Sequence, residues 1–157
     1  MTPTHAMTVA PMSGVRMRIG LLTSALARLP LSVLHLAFRL AIASVFLKAG
    51  LNKLASWELT VQLFRDEYQV PVLPPEMAAA MATTFEIGCS VLLVVGLATR
   101  LAALPLLGMI GVIQLFVYPG AYAEHLTWAS ILAFLLTRGA GAISLDRLLG
   151  LEPPGRG

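Results

Sequence analysis

Four polar side chains interrupt apolar stretches of this sequence where a hydrocarbon environment would solvate them poorly: Arg39, Lys53, Glu86 and Gln114. A charge at membrane depth costs at least about 2.5–3.5 kcal/mol when unpaired, so such groups are usually paired or functional. A carboxylate facing a cationic side chain has two kinds of use. It can form a buried pair that fixes helix register, or it can serve a proton relay or a site for a quinone or small polar ligand. The residue types leave both open. Glu124 and His125 form a second, outer-face candidate, because an imidazole beside a carboxylate can bind a metal or a proton. Neither belongs to a recognised ligand spacing, so no metal site is assigned.

Helical geometry ties the first group together. Arg39 lies roughly 12 Å from the start of its apolar stretch and Glu86 roughly 18 Å from the corresponding end of the next. An arginine side chain can cover the difference, which predicts an Arg39–Glu86 ion pair between antiparallel helices. At 100° per residue, His35, Arg39, Phe46, Gly50 and Lys53 share one face, and Lys48 points away from it. Ala79, Ala82, Ser90 and Leu93 lie near the Glu86 face, where small residues favour close helix packing. Ile87, Val91, Leu92 and Val95 project elsewhere, toward lipid. Gln114, roughly 20 Å along the third stretch, can join the same polar layer.

The elements that must position these groups follow from composition. The 157 residues are 57% hydrophobic and 12% charged, with a mean hydropathy of +0.81. Soluble domains carry about 25% charged residues, so lipid must cover much of this surface. The net charge of +3 includes no run dense enough for a nucleic-acid face. The single cysteine, Cys89, excludes an internal disulfide and reads as a small packing residue. No phosphate loop, hydrolase triad or haem-attachment motif is present.

The pattern predicts an all-α integral membrane four-helix bundle. Its spans run over 31–51, 77–97, 101–118 and 122–138, each long enough to approach a hydrocarbon core about 30 Å thick. The third is interrupted by Pro105, Gly108 and Gly111, and Thr99–Arg100 leaves a tight hairpin before it. In the first external loop, Trp57, Val61, Phe64 and Tyr68 recur at helical spacing while Glu58, Arg65, Asp66 and Glu67 take polar positions. A short amphipathic interfacial helix is expected there, ended by Pro71 and Pro74–Pro75. It serves as a lid or spacer, or as a docking or gating surface.

Before the spans, residues 1–30 read as a flexible and basic amphipathic cytoplasmic segment. A cleaved signal peptide is the competing reading of 16–29, disfavoured by a weak apolar stretch and no convincing cleavage site. Residues 31–149 form the four-span domain and 150–157 a cytoplasmic tail. Arg16, Arg18, Arg28, Arg100, Arg138, Arg147 and Arg156 fall on one side of four spans, against Lys48, Lys53 and Arg65 on the other. The positive-inside rule then places both termini in the cytoplasm. Losing the fourth span would put the C-terminal arginines outside.

Arg39, FLKAGLNKL over Phe46–Leu54, Glu86, GLATRLAAL over Gly96–Leu104, His125 and GAGAISLD over Gly139–Asp146 together resemble the DoxX family of small bacterial membrane proteins. The resemblance covers Leu34 to about Leu149. It departs at Ala140, where the family commonly has proline between the glycines. The segments WELTVQLFRDEYQVPVLPPEMAAA and VIQLFVYP look like the HvfX-type subgroup, found beside genes for copper-binding modified peptides.

The resemblance implies a multi-pass protein of the bacterial inner membrane, often described as an oxidoreductase subunit, with no catalytic residue to carry over. Three functions compete. The first is a membrane partner of a redox or copper-binding-peptide maturation system. The second is a subunit exchanging electrons with quinone near Arg39, Glu86 and Lys53. The third is a small exporter acting as a homo-oligomer. No cofactor motif chooses among them.

Overall fold

The computed structural model describes residues 14–26 and 30–151, which fall into two compact units on either side of the Pro30–Leu31 bond. The expected N-terminal tail over 1–13 and most of the C-terminal tail, from 152 onward, lie outside the described residues. The first unit contributes helix α1, Gly14–Leu26. Met17, Ile19 and Leu21 stand exposed on it, and Thr23 donates its hydroxyl to the Ile19 carbonyl.

Among its described residues the second unit is built of helices joined by short loops, with no strand. Helix α2 spans Leu31–Ala55, running four residues beyond the expected span because Asn52 and Lys53 extend the helix instead of ending it. Helix α3, Trp57–Leu63, passes into a π-helical turn, Phe64–Tyr68. Helix α4 is Pro75–Val95. Pro75 opens it from the first position, where a missing N–H costs nothing. Helix α5, Thr99–Val112, continues through Pro105 without a break and also ends in a π-helical turn, Ile113–Val117. Helix α6 is Tyr122–Arg138 and the short α7 is Leu145–Leu148.

Three of these helices are long and apolar enough to cross a membrane: Leu31–Ala55, Pro75–Val95 and Thr99–Val117. The fourth expected span, α6, has 17 residues, about 26 Å of helix, and falls short of that length. It is nonetheless part of the core. Ile42, Ala43 and Phe46 of α2, Cys89 and Leu93 of α4, Ala102, Ala103, Leu106 and Ile110 of α5, and Leu132 and Leu135 of α6 form one buried cluster. Phe46 meets Trp128 edge-on at 6.0 Å. A smaller cluster of Phe64, Ala78 and Ala79 joins the π-helical turn after α3 to α4.

Two glycines set how closely helices approach. A Cβ on Gly50 would stand 2.7 Å from Ile87 Cγ1 and 3.0 Å from Glu86 Cβ, so α2 and α4 touch backbone to side chain there. At the end of α4, Gly96 adopts φ +70°, with Leu97 N bonded to Leu92 O and Gly96 N to Leu93 O. This is a Schellman ending, which needs a residue free to adopt the left-handed conformation.

Candidate functional site

Glu86 is 3% exposed, and its partner is Lys53. Lys53 Nζ donates to Glu86 Oε1 at 2.7 Å and to Oε2 at 2.8 Å. The expected Arg39–Glu86 pair is not formed. The Arg39 guanidinium lies against Gly96, ten residues and about 15 Å of helix beyond Glu86. The reason is α2's length. Because the helix continues through Lys53, it carries that ammonium to the depth of Glu86, and Arg39 faces the opposite end.

There Arg39, 1% exposed, donates Nη1 to Ala140 O at 3.3 Å and Nη2 to Ile143 O at 2.8 Å. These carbonyls follow the end of α6, and Gly96 ends α4. A cation at helix C-termini is favoured by the macrodipoles. Asp146 completes this end by accepting Ala98 N–H at 2.7 Å and Thr99 N–H at 3.0 Å, capping α5 at its N-terminus. Its own N–H returns to Gly96 O at 2.9 Å. Ala98 is held at φ +49°, a conformation costing roughly 1–2 kcal/mol for a residue with a Cβ, and the two Asp146 bonds offset it. Gly141, at φ +80°, leaves room for His35, whose Cβ would be 2.7 Å from an added Cβ.

Gln114 stands apart from both groups. Its Nε2 donates to Pro119 O at 2.8 Å, so its Oε1 faces His125 Nδ1 at 2.7 Å. An amide oxygen only accepts, so Nδ1 is the donor in this contact. His125 is buried and Glu124, beside it, is exposed. The four polar residues expected in one layer therefore occupy three places: Lys53 with Glu86, Arg39 with the loop after α6, and Gln114 with His125. Among the described residues, no group of three or more His, Cys, Asp or Glu could hold a metal ion.

The Lys53–Glu86 pair lies in the wall of a cavity of about 390 Å³. The other walls are apolar. Ala78, Met81, Ala82 and Phe85 come from α4, Pro105, Met109 and Val112 from α5, and Phe64, Tyr68, Val70 and Leu73 from the first loop. Aromatic rings line the outer edge. Tyr68 meets Phe64 at 5.0 Å and Tyr118 at 5.9 Å, both edge-on, and Tyr118 Oη donates to Glu67 Oε1 at 2.7 Å. Bonding to that carboxylate, partial burial and the neighbouring Tyr68 push the Tyr118 phenol above the ordinary tyrosine range. Thr60, buried under α3, donates to Lys53 O at 3.1 Å and so ties the loop helix to the lysine's turn.

A lone ion pair in an apolar chamber can hydrogen-bond a carbonyl through the ammonium and a hydroxyl through the carboxylate. The residues that build the chamber's outer wall, Tyr118 and Glu67 among them, are not distinguishable by type from ordinary interfacial residues. The aromatic spacing of 57–68 signals Phe64 and Tyr68, and no sequence pattern singles out Tyr118 or Glu67.

The three apolar helices around this chamber define a helical membrane protein. The chain belongs to the DoxX family, whose model, described as DoxX, matches residues 34–119, more than half of the sequence. No curated protein and no solved structure matches it. The matched segment includes Arg39, Lys53, Glu86 and Gln114 and stops before His125 and the Gly139–Asp146 loop.

Proposed function

We propose that this protein is a membrane-embedded binding subunit that holds the polar head of a lipid-soluble ligand of the quinone class against Lys53 and Glu86. The observation that carries this reading is the placement of one buried ion pair in the wall of an otherwise apolar cavity. A volume of about 390 Å³ is within the range of small-molecule sites, which are apolar with a few placed polar groups. Lys53 keeps a proton free to donate to a ring carbonyl, and Glu86 keeps lone pairs for a ring hydroxyl.

The ligand site fits a subunit serving a redox partner. The segments that resemble the HvfX-type subgroup supply Phe64, Tyr68, Val70, Leu73, Val117 and Tyr118 to the cavity wall. That coincidence favours a role beside a system that matures copper-binding peptides, with this chain as the membrane partner and copper held elsewhere.

In this proposal α6 makes a fourth crossing of the bacterial inner membrane and both termini are cytoplasmic. Arg100, Arg138 and Arg147 lie at the end of the helices where Arg39 is anchored. Glu58, Asp66, Glu67, Glu76 and Glu124 lie at the other. The positive-inside rule assigns the arginine end to the cytoplasm and puts α3 at the outer interface.

The test is native purification from membranes, with mass spectrometry and absorbance spectroscopy of everything that co-elutes. A quinone retained with the protein is the expected result. A substrate flux in proteoliposomes with no retained small molecule would favour the exporter reading instead.

A further inference from the structure

We propose that the ligand of the Lys53–Glu86 cavity is a membrane-borne amphiphile that reaches it sideways from the bilayer, through the seam between α4 and α5, and leaves its apolar tail in that seam. The proposal rests on the binding reading above and adds the route and the shape of the ligand.

The cavity wall is unequal. On the seam, Met81 is 42%, Phe85 38% and Val112 37% exposed although all three line the chamber. Pro105 and Met109, also on the seam, are half-buried. All five are apolar, so the seam between the two helices presents a surface that lipid tails wet and water does not.

On the side facing the outer loop three edge-on rings stand in sequence, Phe64, Tyr68 and Tyr118, from the buried Phe64 to Tyr118 at 45% exposed. The hydrogen bond from Tyr118 to Glu67 locks the last of them. Both halves of this row spring from π-helical turns, Phe64–Tyr68 and Ile113–Val117. Such turns recur at functional sites because the widened turn re-aims its side chains. Here they aim two tyrosines at each other.

A tail moving from lipid into an apolar seam exchanges one hydrocarbon environment for another, so it adds little affinity. Affinity then belongs to the head at Lys53 and Glu86, and the tail decides how the ligand gets there. A dissolved polar solute meets the opposite situation: it faces the aromatic side and has no tail to carry it through the seam.

The experiment measures the binding of decylubiquinone and of long-chain ubiquinone to the full-length protein in nanodiscs. Wild type is compared with Val112→Trp and Met81→Trp, which fill the seam from opposite helices, and with Tyr118→Phe and Glu67→Gln, which unlock the outer side. Thermal unfolding identifies which variants are folded. Both quinones are expected to bind wild type with similar affinity at equal mole fraction in the bilayer. The seam variants are expected to slow association by about tenfold or more, within the span of on-rates that variants of one site cover. Tyr118→Phe and Glu67→Gln are expected to alter the rate less than either tryptophan does. Faster association in those two variants, with no effect of the tryptophans, would overturn the lateral route while leaving the binding site standing. Failure of wild type to bind either quinone would remove the site and the route together.

Discussion

Lys53 reaches both carboxylate oxygens of Glu86, at 2.7 and 2.8 Å, from a helix antiparallel to the one that carries the carboxylate. The pair is uneven in burial, with Lys53 19% and Glu86 3% exposed. The carboxylate is fixed inside the protein, while the ammonium stands at the edge of the cavity, where a ligand can share it. The same contact pins α2 against α4 near the point where Gly50 lets them touch.

Removing one partner strands the other. Lys53→Met leaves Glu86 buried without its counter-ion, and Glu86→Leu leaves the ammonium without its acceptor. Each single change is expected to destabilise by about 3–5 kcal/mol, whereas the double change Lys53→Met with Glu86→Leu is expected to be near neutral. Reversible unfolding in mixed micelles measures all three. Additive losses in the double variant would show that the two side chains do not act as a pair.

Gly50 sets the depth of the pair. A leucine there must displace Ile87 and Glu86, whose atoms stand 2.7 and 3.0 Å from the position of an added Cβ. Gly50→Leu is expected to separate α2 from α4, at the 1–3 kcal/mol typical of about one overpacked side chain, and to break the Lys53–Glu86 contact. Cross-linking of a cysteine pair across the two helices, placed at the level of Glu86, is expected to fall in this variant. Unchanged cross-linking would contradict the close approach.

How much of this was legible in the residues differs by element. The apolar stretches located α2, α4, α5 and α6 because hydrophobic runs of that length have few alternatives. The face containing His35, Arg39, Phe46 and Gly50 is buried, since a 100° rotation per residue places them together whatever the neighbours do. Partner choice was not legible. Arg39 and Lys53 share a face of one helix, and which of them meets Glu86 depends on where the helix ends and how far α4 slides along it, which no local pattern encodes. Asp146 was hidden for the same reason. It caps α5 through a contact 47 residues away in the chain, and its loop reads simply as a turn. Gln114 was misplaced because depth in the membrane says nothing about rotation toward His125.

Asp146 holds the turn between α4 and α5. Its replacement by alanine leaves the Ala98 and Thr99 N–H groups without acceptors, and a buried unsatisfied group costs about 1–3 kcal/mol. Asp146→Ala is expected to lower stability by that order and to raise amide hydrogen exchange at residues 98 and 99. Asp146→Asn keeps one acceptor oxygen and is expected to lose less. Unaltered exchange in the alanine variant would show that the cap is not needed.

Tyr118 gives the outer aromatic row a pH dependence. Its phenol is pushed up chiefly because the proton is shared with the Glu67 carboxylate, so folding favours the protonated form. The contribution is therefore complete below the ordinary tyrosine value, about 10, and fades only as the solution is made more alkaline than that. Tyr118 is 45% exposed, so solvent screening keeps the effect on overall stability small. In an ultraviolet titration, Tyr118→Phe is expected to remove the latest phenolate step, and Glu67→Gln to move that step to lower pH. Loss of an earlier step in Tyr118→Phe would contradict the bond.

The central claim is that Lys53 and Glu86 hold a ligand's head. It is tested most directly by native mass spectrometry of protein released from its own membranes, with wild type compared against the Lys53→Met, Glu86→Leu double variant. The double variant is the right comparison because its fold is expected to survive the loss of the pair. Wild type is expected to retain a quinone and the folded double variant to emerge empty. Equal retention by both, or an empty wild type, would contradict the account.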